Sequence, residues 1–219
     1  MDGMNKEKWL AMTPQQKREH IWEYYKLPIV GGIITLLVLG WLLHGWLTYR
    51  EPVLDVIVTN SQEYLQQEIF HEFLEEKGYE TYEGAVVIQQ NMMFDRDNPE
   101  MMEINYNSMN TLNALLTAGK QDLLFTNADI FGMCAVQGAL MDLRQVLTEE
   151  MLETYEELIL YVQNEDTQED YPCGIKVDGN PWVQENIKDY KGYVGIPRYA
   201  DDMQQAKEFL LYLLAQEGA

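Results

Sequence analysis

One long apolar run near the N-terminus constrains this chain more than any other sequence feature. Residues 28–47 are twenty consecutive positions of which only His44 is strongly polar. At about 1.5 Å of rise per residue, a helix of this length crosses the roughly 30 Å hydrocarbon core of a bilayer. A helix on a soluble core keeps one polar face, whereas this run is apolar all round. The sequence therefore predicts a transmembrane helix, which we place at residues 27–49.

The charges that flank the run predict how it is oriented. Five basic residues precede it within the segment 1–26, and Arg50 is the only basic residue that follows before Lys77. The positive-inside rule then places the N-terminus in the cytoplasm and the rest of the chain outside the cell membrane. The basic leader and the apolar run are both too long for a cleaved signal peptide. We therefore expect the helix to remain as the anchor of a single-pass membrane protein.

The segment 1–26 carries a helix signal of its own. Thr13, Pro14 and Gln16 match an N-cap, a proline at the first helical position and a glutamine at the third, which together form a capping box. We expect an amphipathic helix from about residue 14 to residue 26 that runs into the membrane. Anchoring alone explains this cytoplasmic tail, and a cytoplasmic partner for it is a second interpretation.

Residues 52–219 are predicted to form a strongly acidic extracytoplasmic domain. The chain has a formal net charge of -21, and the part after residue 50 holds nine Lys and Arg against 32 Asp and Glu. Such a surface repels nucleic-acid phosphates, so we expect no nucleic-acid partner, and the acidity is typical of a solvated surface. Cys134 and Cys173 form either a disulfide or two buried thiols, and the sequence leaves both open.

Strands and helices alternate at the start of this domain. Short apolar runs at residues 54–59, 85–90 and 122–126 indicate strands, and helical patterns at 61–77 and 108–118 separate them. This β-α-β-α-β order predicts an α/β fold with a parallel sheet, right-handed crossovers and the first strand at the centre. A polar, Met-rich loop is expected between the second strand and the second helix.

The first helix of the domain has a clear apolar face. Leu65, Ile69 and Phe73 share one stripe that we expect to be buried, and His71 lies opposite it. The remaining elements follow from shorter signals: a helix near 130–137, a helix that begins at Thr148 or Glu149, strands at 174–177 and 193–196, and a final helix capped by Asp201 or Asp202.

Polar side chains cluster where the three predicted strands end. In an open parallel sheet, ligands bind beyond the carboxyl ends of the strands, and a helix N-terminus on the same rim adds backbone donors. The alternative interpretation is that the serines cap helices and the asparagines form turns. The predicted ligand-binding residues are Thr59, Asn60, Asn91, Ser108, Asn127 and Asp129.

Residue types in the domain argue against an enzyme or a metal site. It holds one histidine, His71, and two serines, and neither serine has a predicted histidine neighbour for nucleophilic catalysis. His71, Cys134 and Cys173 lack the spacing of a zinc site. The acidic stretch 95–103 resembles a calcium loop, but Pro99 stands at a ligand position and the required glycine is missing. We predict a non-catalytic domain without a cofactor.

Three stretches of the domain resemble the extracellular solute-binding proteins of the type 2 periplasmic-binding-protein fold. The first is the opening strand and helix that end in EEKGY at 75–79. The second runs from residue 107 through LLTAGKQD at 115–122 to residue 143. The third is YVGIP at 193–197 followed by AKEFL at 206–210. This resemblance implies a bacterial, membrane-tethered domain that binds a small ligand or a protein partner at the cell surface.

The chain also departs from that family in ways that change the expectation. Members are usually about twice as long and close two lobes on a ligand, whereas residues 142–193 are too few for a second lobe. The transmembrane helix also replaces the lipoprotein cysteine of the family. The resemblance therefore implies a reduced, one-lobed relative with affinity no better than roughly micromolar, about −8 kcal/mol. The alternative is a structural or interaction module of an envelope or transporter complex, without a small-molecule ligand.

Overall fold

The chain folds into two compact units, Met1–Arg50 and Glu51–Ala219. The computed structural model describes residue 10, residues 12–200 and residues 203–217. The first unit is built on α1, Pro14–Thr48. The predicted capping box is present, since Thr13 Oγ1 accepts from the Gln16 amide at 3.4 Å and Gln16 Oε1 accepts from the Thr13 amide at 3.0 Å. The tail helix and the apolar run are one continuous helix, which passes through Pro28 without ending.

Within α1, the segment Tyr25–Thr48 is 24 residues long and apolar enough to cross a membrane. Its large side chains are exposed in the absence of lipid, for example Leu36 at 71% and Trp41 at 73%. An exposed apolar surface of this extent is unfavourable in water and favourable in hydrocarbon. This segment is compatible with membrane anchoring, as the sequence predicted.

The second unit is a mixed α/β domain with a six-stranded sheet in the order β2-β1-β3-β6-β5-β4. The strands are β1 Leu54–Val58, β2 Val86–Gln89, β3 Leu123–Thr126, β4 Ile159–Gln163, β5 Asp170–Lys176 and β6 Tyr193–Gly195. The helices are α2 His71–Lys77, α3 Met102–Ala118, α4 Ala128–Val136, α5 Glu149–Thr154, α6 Pro181–Asn186 and α7 Met203–Glu217.

The sheet is mixed rather than wholly parallel. As predicted, β1 is central to a parallel trio, with β2 and β3 on either side. The other three ladders, β3–β6, β5–β6 and β4–β5, are antiparallel. The ends of β1, β2, β3 and β5 and the start of β6 therefore lie at one edge, which we name the carboxyl edge. The opposite edge, where β4 and β6 end and β5 begins, is the amino edge.

Apolar clusters form two cores in the domain. In one, Phe73 of α2 packs edge-on against Phe209 of α7 at a ring-centroid distance of 5.0 Å, and both rings are fully buried. In the other, the ring of Phe131 from α4 lies against the sheet. A Cβ at Gly174 or Gly195 would lie 2.3 or 2.8 Å from Phe131 Cζ, so these two glycines make room for the ring.

The helix predicted at 61–77 is wrong in its first half. Only a 3-10 turn at Gln67–Phe70 and the short α2 are helical. Leu65 instead hydrogen-bonds through both backbone groups to the side-chain amide of Gln90, with N to Oε1 at 2.6 Å and Nε2 to O at 2.8 Å. A side chain 25 residues away thus takes the backbone bonds that a helix would use. The apolar face is confirmed, because Leu65 and Phe73 are buried and Ile69 packs against the same core.

One other prediction is wrong, one strand was not predicted, and the structure distinguishes between the two alternatives that the sequence left open for the cysteines. Ser108 does not begin a helix, because α3 starts six residues earlier and takes up part of the predicted loop. The strand β4 was not predicted. The two cysteines are free and buried, so they are two thiols and not a disulfide. The helix that begins after Thr148 is confirmed, and the caps Asp201 and Asp202 lie outside the described residues.

Candidate functional site

Two of the predicted site residues lie where β1 ends, and both are bound within the domain. Thr59 is fully buried, and its hydroxyl lies 2.7 Å from that of Thr126 at the end of β3. Asn60 has a left-handed backbone with φ of 56°, which asparagine adopts more readily than most residues. Its side chain donates to Phe94 O at 2.9 Å and accepts from the Phe94 amide at 2.7 Å. Asn60 therefore fixes the loop that follows β2.

The next two predicted residues belong to that loop and to α3. Ser108 is buried in the middle of α3, where its Oγ accepts from the Met93 amide at 3.1 Å. Asn91 lies exposed just beyond β2. Ser108 satisfies a loop amide that would otherwise be short of a partner, so its hydroxyl has a structural use in this conformation.

The last two predicted residues begin α4 at the carboxyl edge. Asn127 is the N-cap of the helix, and its Oδ1 accepts from the Ile130 amide at 3.0 Å. Asp129 stands in the first helical turn with its side chain exposed, where a carboxylate is favoured by the positive end of the helix dipole. Of the six residues, these two line a cavity at the carboxyl edge.

This carboxyl-edge cavity has a volume of about 390 Å³ and lies between the start of α4, the end of β5 and the start of β6. Besides Asn127 and Asp129, this cavity is lined by the charged residues Lys176, Asp178 and Lys191. Asp178 Oδ1 accepts from the Gly192 amide at 2.7 Å, and the carboxylate lies 3.7 Å from Lys176 Nζ. The cavity therefore presents negatively charged carboxylates that accept hydrogen bonds and positively charged ammonium groups that donate them.

Gly192 brings β6 close to β3 at the floor of this cavity. A Cβ at this position would lie 2.2 Å from Thr126 O, and its φ of 153° is also disfavoured for other residues. Only a residue without a side chain lets the chain pass this close to the end of β3, so Gly192 fixes the approach of β6 to β3 at this cavity.

The sequence predicts one half of the lining of this cavity, Asn127 and Asp129, and not the other half. The sequence predicts where β1, β2 and β3 end, but it does not predict the directions of β5 and β6. Lys176 and Asp178 lie at and just beyond the end of β5, and Lys191 lies just before β6. The signal was present in KVD at 176–178 and KGY at 191–193. Only the antiparallel pairing of β6 with β3 and β5 brings these residues to the carboxyl edge.

The buried thiols are poorly suited to nucleophilic chemistry at neutral pH. Burial raises the pKa of Cys134 to about 11 and that of Cys173 to about 12, so both stay protonated. Within residues 12–200 and 203–217, no three His, Cys, Asp or Glu side chains come together in a way that would hold a metal ion. The cavity chemistry is that of hydrogen bonding and charge pairing.

Comparison of the chain with protein-family models, with curated proteins and with solved structures finds no match. The carboxyl-edge cavity is therefore interpreted from its own residues.

Proposed function

We propose that this chain is a membrane-anchored, non-catalytic binding domain that faces the outside of the cell membrane. Its α/β domain would be a reduced relative of type 2 periplasmic-binding-protein lobes. Support for the anchor comes from the apolar segment Tyr25–Thr48, and support for the orientation comes from the basic residues that precede it. Support for binding comes from one observation above all, the charged cavity at the carboxyl edge.

The lining of this cavity favours a hydroxyl-rich small ligand such as a polyol or a sugar. Asp129 taken alone favours either a cationic or a hydroxyl-rich ligand. Lys176 and Lys191 in the same lining disfavour a simple cation by charge repulsion. Hydroxyl groups both donate and accept, so they satisfy the carboxylate and ammonium groups together. The cavity covers a ligand on one side only, which agrees with an affinity no better than about micromolar.

The proposal is tested by thermal unfolding of the full chain in lipid nanodiscs against a panel of polyols and monosaccharides. A ligand that binds the folded state raises the unfolding midpoint by mass action. We expect at least one compound to do so, and the shift to disappear in Asp129→Ala and Lys191→Ala. Glu157→Ala, which changes an exposed carboxylate outside the cavity, is the matched control. A shift that survives both cavity variants would contradict the proposed site.

A second candidate function is an interaction module without a small ligand, within an envelope or transporter complex. The observation that favours it is that Thr59, Asn60 and Ser108 are all used in bonds within the domain. This alternative predicts no midpoint shift with any panel compound. It also predicts that a photo-crosslinker at residue 129 captures a membrane-protein neighbour in cells, while one at residue 157 does not.

A further inference from the structure

A second cavity lies at the amino edge of the sheet, on the side opposite to the proposed site. It has a volume of about 400 Å³ and is bounded by the segment after α4, the turn between β4 and β5, and Arg198 just beyond β6. Volumes of this order are typical of small-ligand sites. None of the residues predicted from the strand ends lines it.

Backbone contacts build the floor of this amino-edge cavity. The Arg198 amide donates to Ala139 O and the Met141 amide donates to Ile196 O, each at 2.8 Å, so the two segments run side by side. Gly138 has φ of 67°, and a Cβ there would lie 2.6 Å from Asn164 Nδ2 and 3.4 Å from Arg198 Nη1. A side chain at Gly138 would therefore clash with the Asn164 side chain and would contact Arg198.

The two arginines of the cavity differ in how they are paired. Arg144 is held by Asp142, with Nε 2.9 Å from both carboxylate oxygens and Nη2 2.5 Å from Oδ2. Arg198 donates from Nη1 to Gly138 O at 3.3 Å. In the part of the chain that the structure describes, no carboxylate forms an ion pair with Arg198. Arg198 is therefore a guanidinium with donors left for a ligand.

Two exposed carboxylates line the same cavity from the turn between β4 and β5. Asn164 fixes this turn. Its side-chain Oδ1 accepts from the backbone amides of Asp166 at 2.9 Å and Thr167 at 3.0 Å, and its backbone amide donates to Glu169 O at 3.0 Å. Asp166 and Glu169 are thus held on an ordered turn beside the cavity. Besides the Arg144–Asp142 pair, the charged lining residues are one cation, Arg198, and the two carboxylates, of which Glu169 also lies close enough to Arg144 to interact with it electrostatically.

We propose that the amino-edge cavity binds a small zwitterion, either an α-amino acid or a short peptide. The ligand carboxylate pairs with Arg198, whose planar fork matches a carboxylate, and the ligand ammonium lies toward Asp166 and Glu169. A simple anion would face two carboxylates within a strongly acidic domain, and a simple cation would face Arg198. Only a ligand with both charges satisfies the whole lining. This inference does not depend on the carboxyl-edge site.

The test uses isothermal titration of the full chain in nanodiscs with the standard L-amino acids and glycylglycine, each up to about 10 mM. Acetate and methylammonium, which carry one charge each, are the comparison probes. We expect at least one zwitterion to bind and neither single-charge probe to bind. Arg198→Gln should weaken that binding at least about tenfold, because it removes a charge-assisted hydrogen bond to the ligand carboxylate.

Matched variants separate this site from the carboxyl-edge cavity and from general charge effects. Arg96→Gln removes another exposed arginine of the domain, and Asp129→Asn changes the other cavity, so both should leave zwitterion binding unchanged. Arg198 is exposed, and an unchanged unfolding midpoint of Arg198→Gln verifies that the variant is folded. The proposal is overturned if no zwitterion binds, if methylammonium binds as well as the zwitterion, or if Asp129→Asn rather than Arg198→Gln abolishes binding.

Discussion

The anchor helix and the α/β domain use the same apolar residue types in opposite environments. Leu36 and Leu37 of α1 are 71% and 68% exposed, whereas Phe73 and Leu74 of α2 are fully buried. The domain buries its apolar side chains in its own interior, whereas the large apolar side chains of α1 are exposed, which is compatible with hydrocarbon around this helix. The same type of substitution should therefore change the unfolding free energy when it is made in the domain, and should leave that free energy almost unchanged when it is made in α1.

The largest effect is expected in the domain core. Phe73→Ala should lower the free energy of unfolding by about 3–5 kcal/mol, because Phe73 contacts the rings of Phe209 and Tyr212 and would leave a cavity. Such a loss is a large part of a typical stability of about 5–15 kcal/mol. His71→Ala, on the half-exposed side of α2, and Leu36→Ala in the anchor should cost little. Chemical denaturation followed by tyrosine and tryptophan fluorescence measures all three, and equal losses would refute the assigned core.

A charge in the apolar segment should affect the anchor and spare the domain. Leu37→Arg places a guanidinium near the middle of Tyr25–Thr48, which costs roughly 2.5–3.5 kcal/mol of membrane insertion. We expect more of this variant to be released by alkaline extraction of membranes, while the unfolding midpoint of the domain stays the same. Leu37→Ala is the control. Full retention of Leu37→Arg would argue that the segment does not sit in hydrocarbon.

Glycines in the two units should respond differently to an added methyl group. Gly192→Ala places a Cβ against Thr126 O, and we expect a loss of about 1–3 kcal/mol from overpacking. Gly40→Ala in α1 meets nothing within 4 Å and should leave domain unfolding unchanged. Thermal unfolding of both variants measures the difference. A neutral Gly192→Ala would mean that β3 and β6 are not as close as the carboxyl-edge cavity requires.

The smallest effect concerns pH and the two thiols of the domain interior. Burial raises the pKa of Cys134 to about 11 and that of Cys173 to about 12, above the ordinary value of 9.0. The unfolded chain loses these protons first, so the stability they contribute is present below about pH 9 and is lost as the pH rises through the folded pKa values. At about pH 10 the loss should be on the order of 1 kcal/mol per thiol.

Chemical denaturation at about pH 8 and pH 10 measures this loss, with Cys134→Ala and Cys173→Ala as the paired variants. Each variant should show a weaker alkaline loss than the native chain. Burial also raises the pKa of Tyr190, which contributes equally in every variant. The raised pKa of Tyr171 comes first from burial and in part from Cys173 and Cys134, so each thiol variant also removes that part of the Tyr171 contribution, which acts in the same direction. An identical alkaline loss in all variants would show that the thiols ionise freely in the folded domain.

Much of the fold could be predicted because its signals are local. The capping box at Thr13, the strands around β1, β2 and β3, and the helix after Thr148 all follow from short patterns of the sequence. The helix predicted at 61–77 is wrong in its first half because Leu65 bonds to Gln90, a contact that no local pattern reveals. The edge strand β4 contains an apolar run, ILYV at 159–162, but this run follows the helix after Thr148 with no Gly or Pro between them, so no break in the sequence marks the start of a strand.

The candidate site was harder to predict than the fold. Asn127 and Asp129 were found because a strand end and a helix start coincide there. The same pattern predicts Thr59 and Ser108 as ligand-binding residues. In the structure, however, the Thr59 hydroxyl bonds to that of Thr126, and the Ser108 hydroxyl accepts from the Met93 amide. The sequence predicts which residues lie at the edge of the sheet. It does not predict which of their polar groups form hydrogen bonds within the domain and are therefore not free to bind a ligand.

The proposed function requires an anchored domain that lies outside the cell membrane, and cysteine labelling in cells tests this topology most directly. Because Cys134 and Cys173 are buried, cysteines introduced at exposed sites give the signal. Gln15→Cys reports on the segment before the anchor and Glu157→Cys on the domain. With a membrane-impermeant maleimide, we predict that intact cells label Glu157→Cys alone and permeabilised cells label both. Labelling of Gln15→Cys in intact cells, with Glu157→Cys protected, would contradict the proposed orientation, in which the N-terminus is cytoplasmic and the domain lies outside.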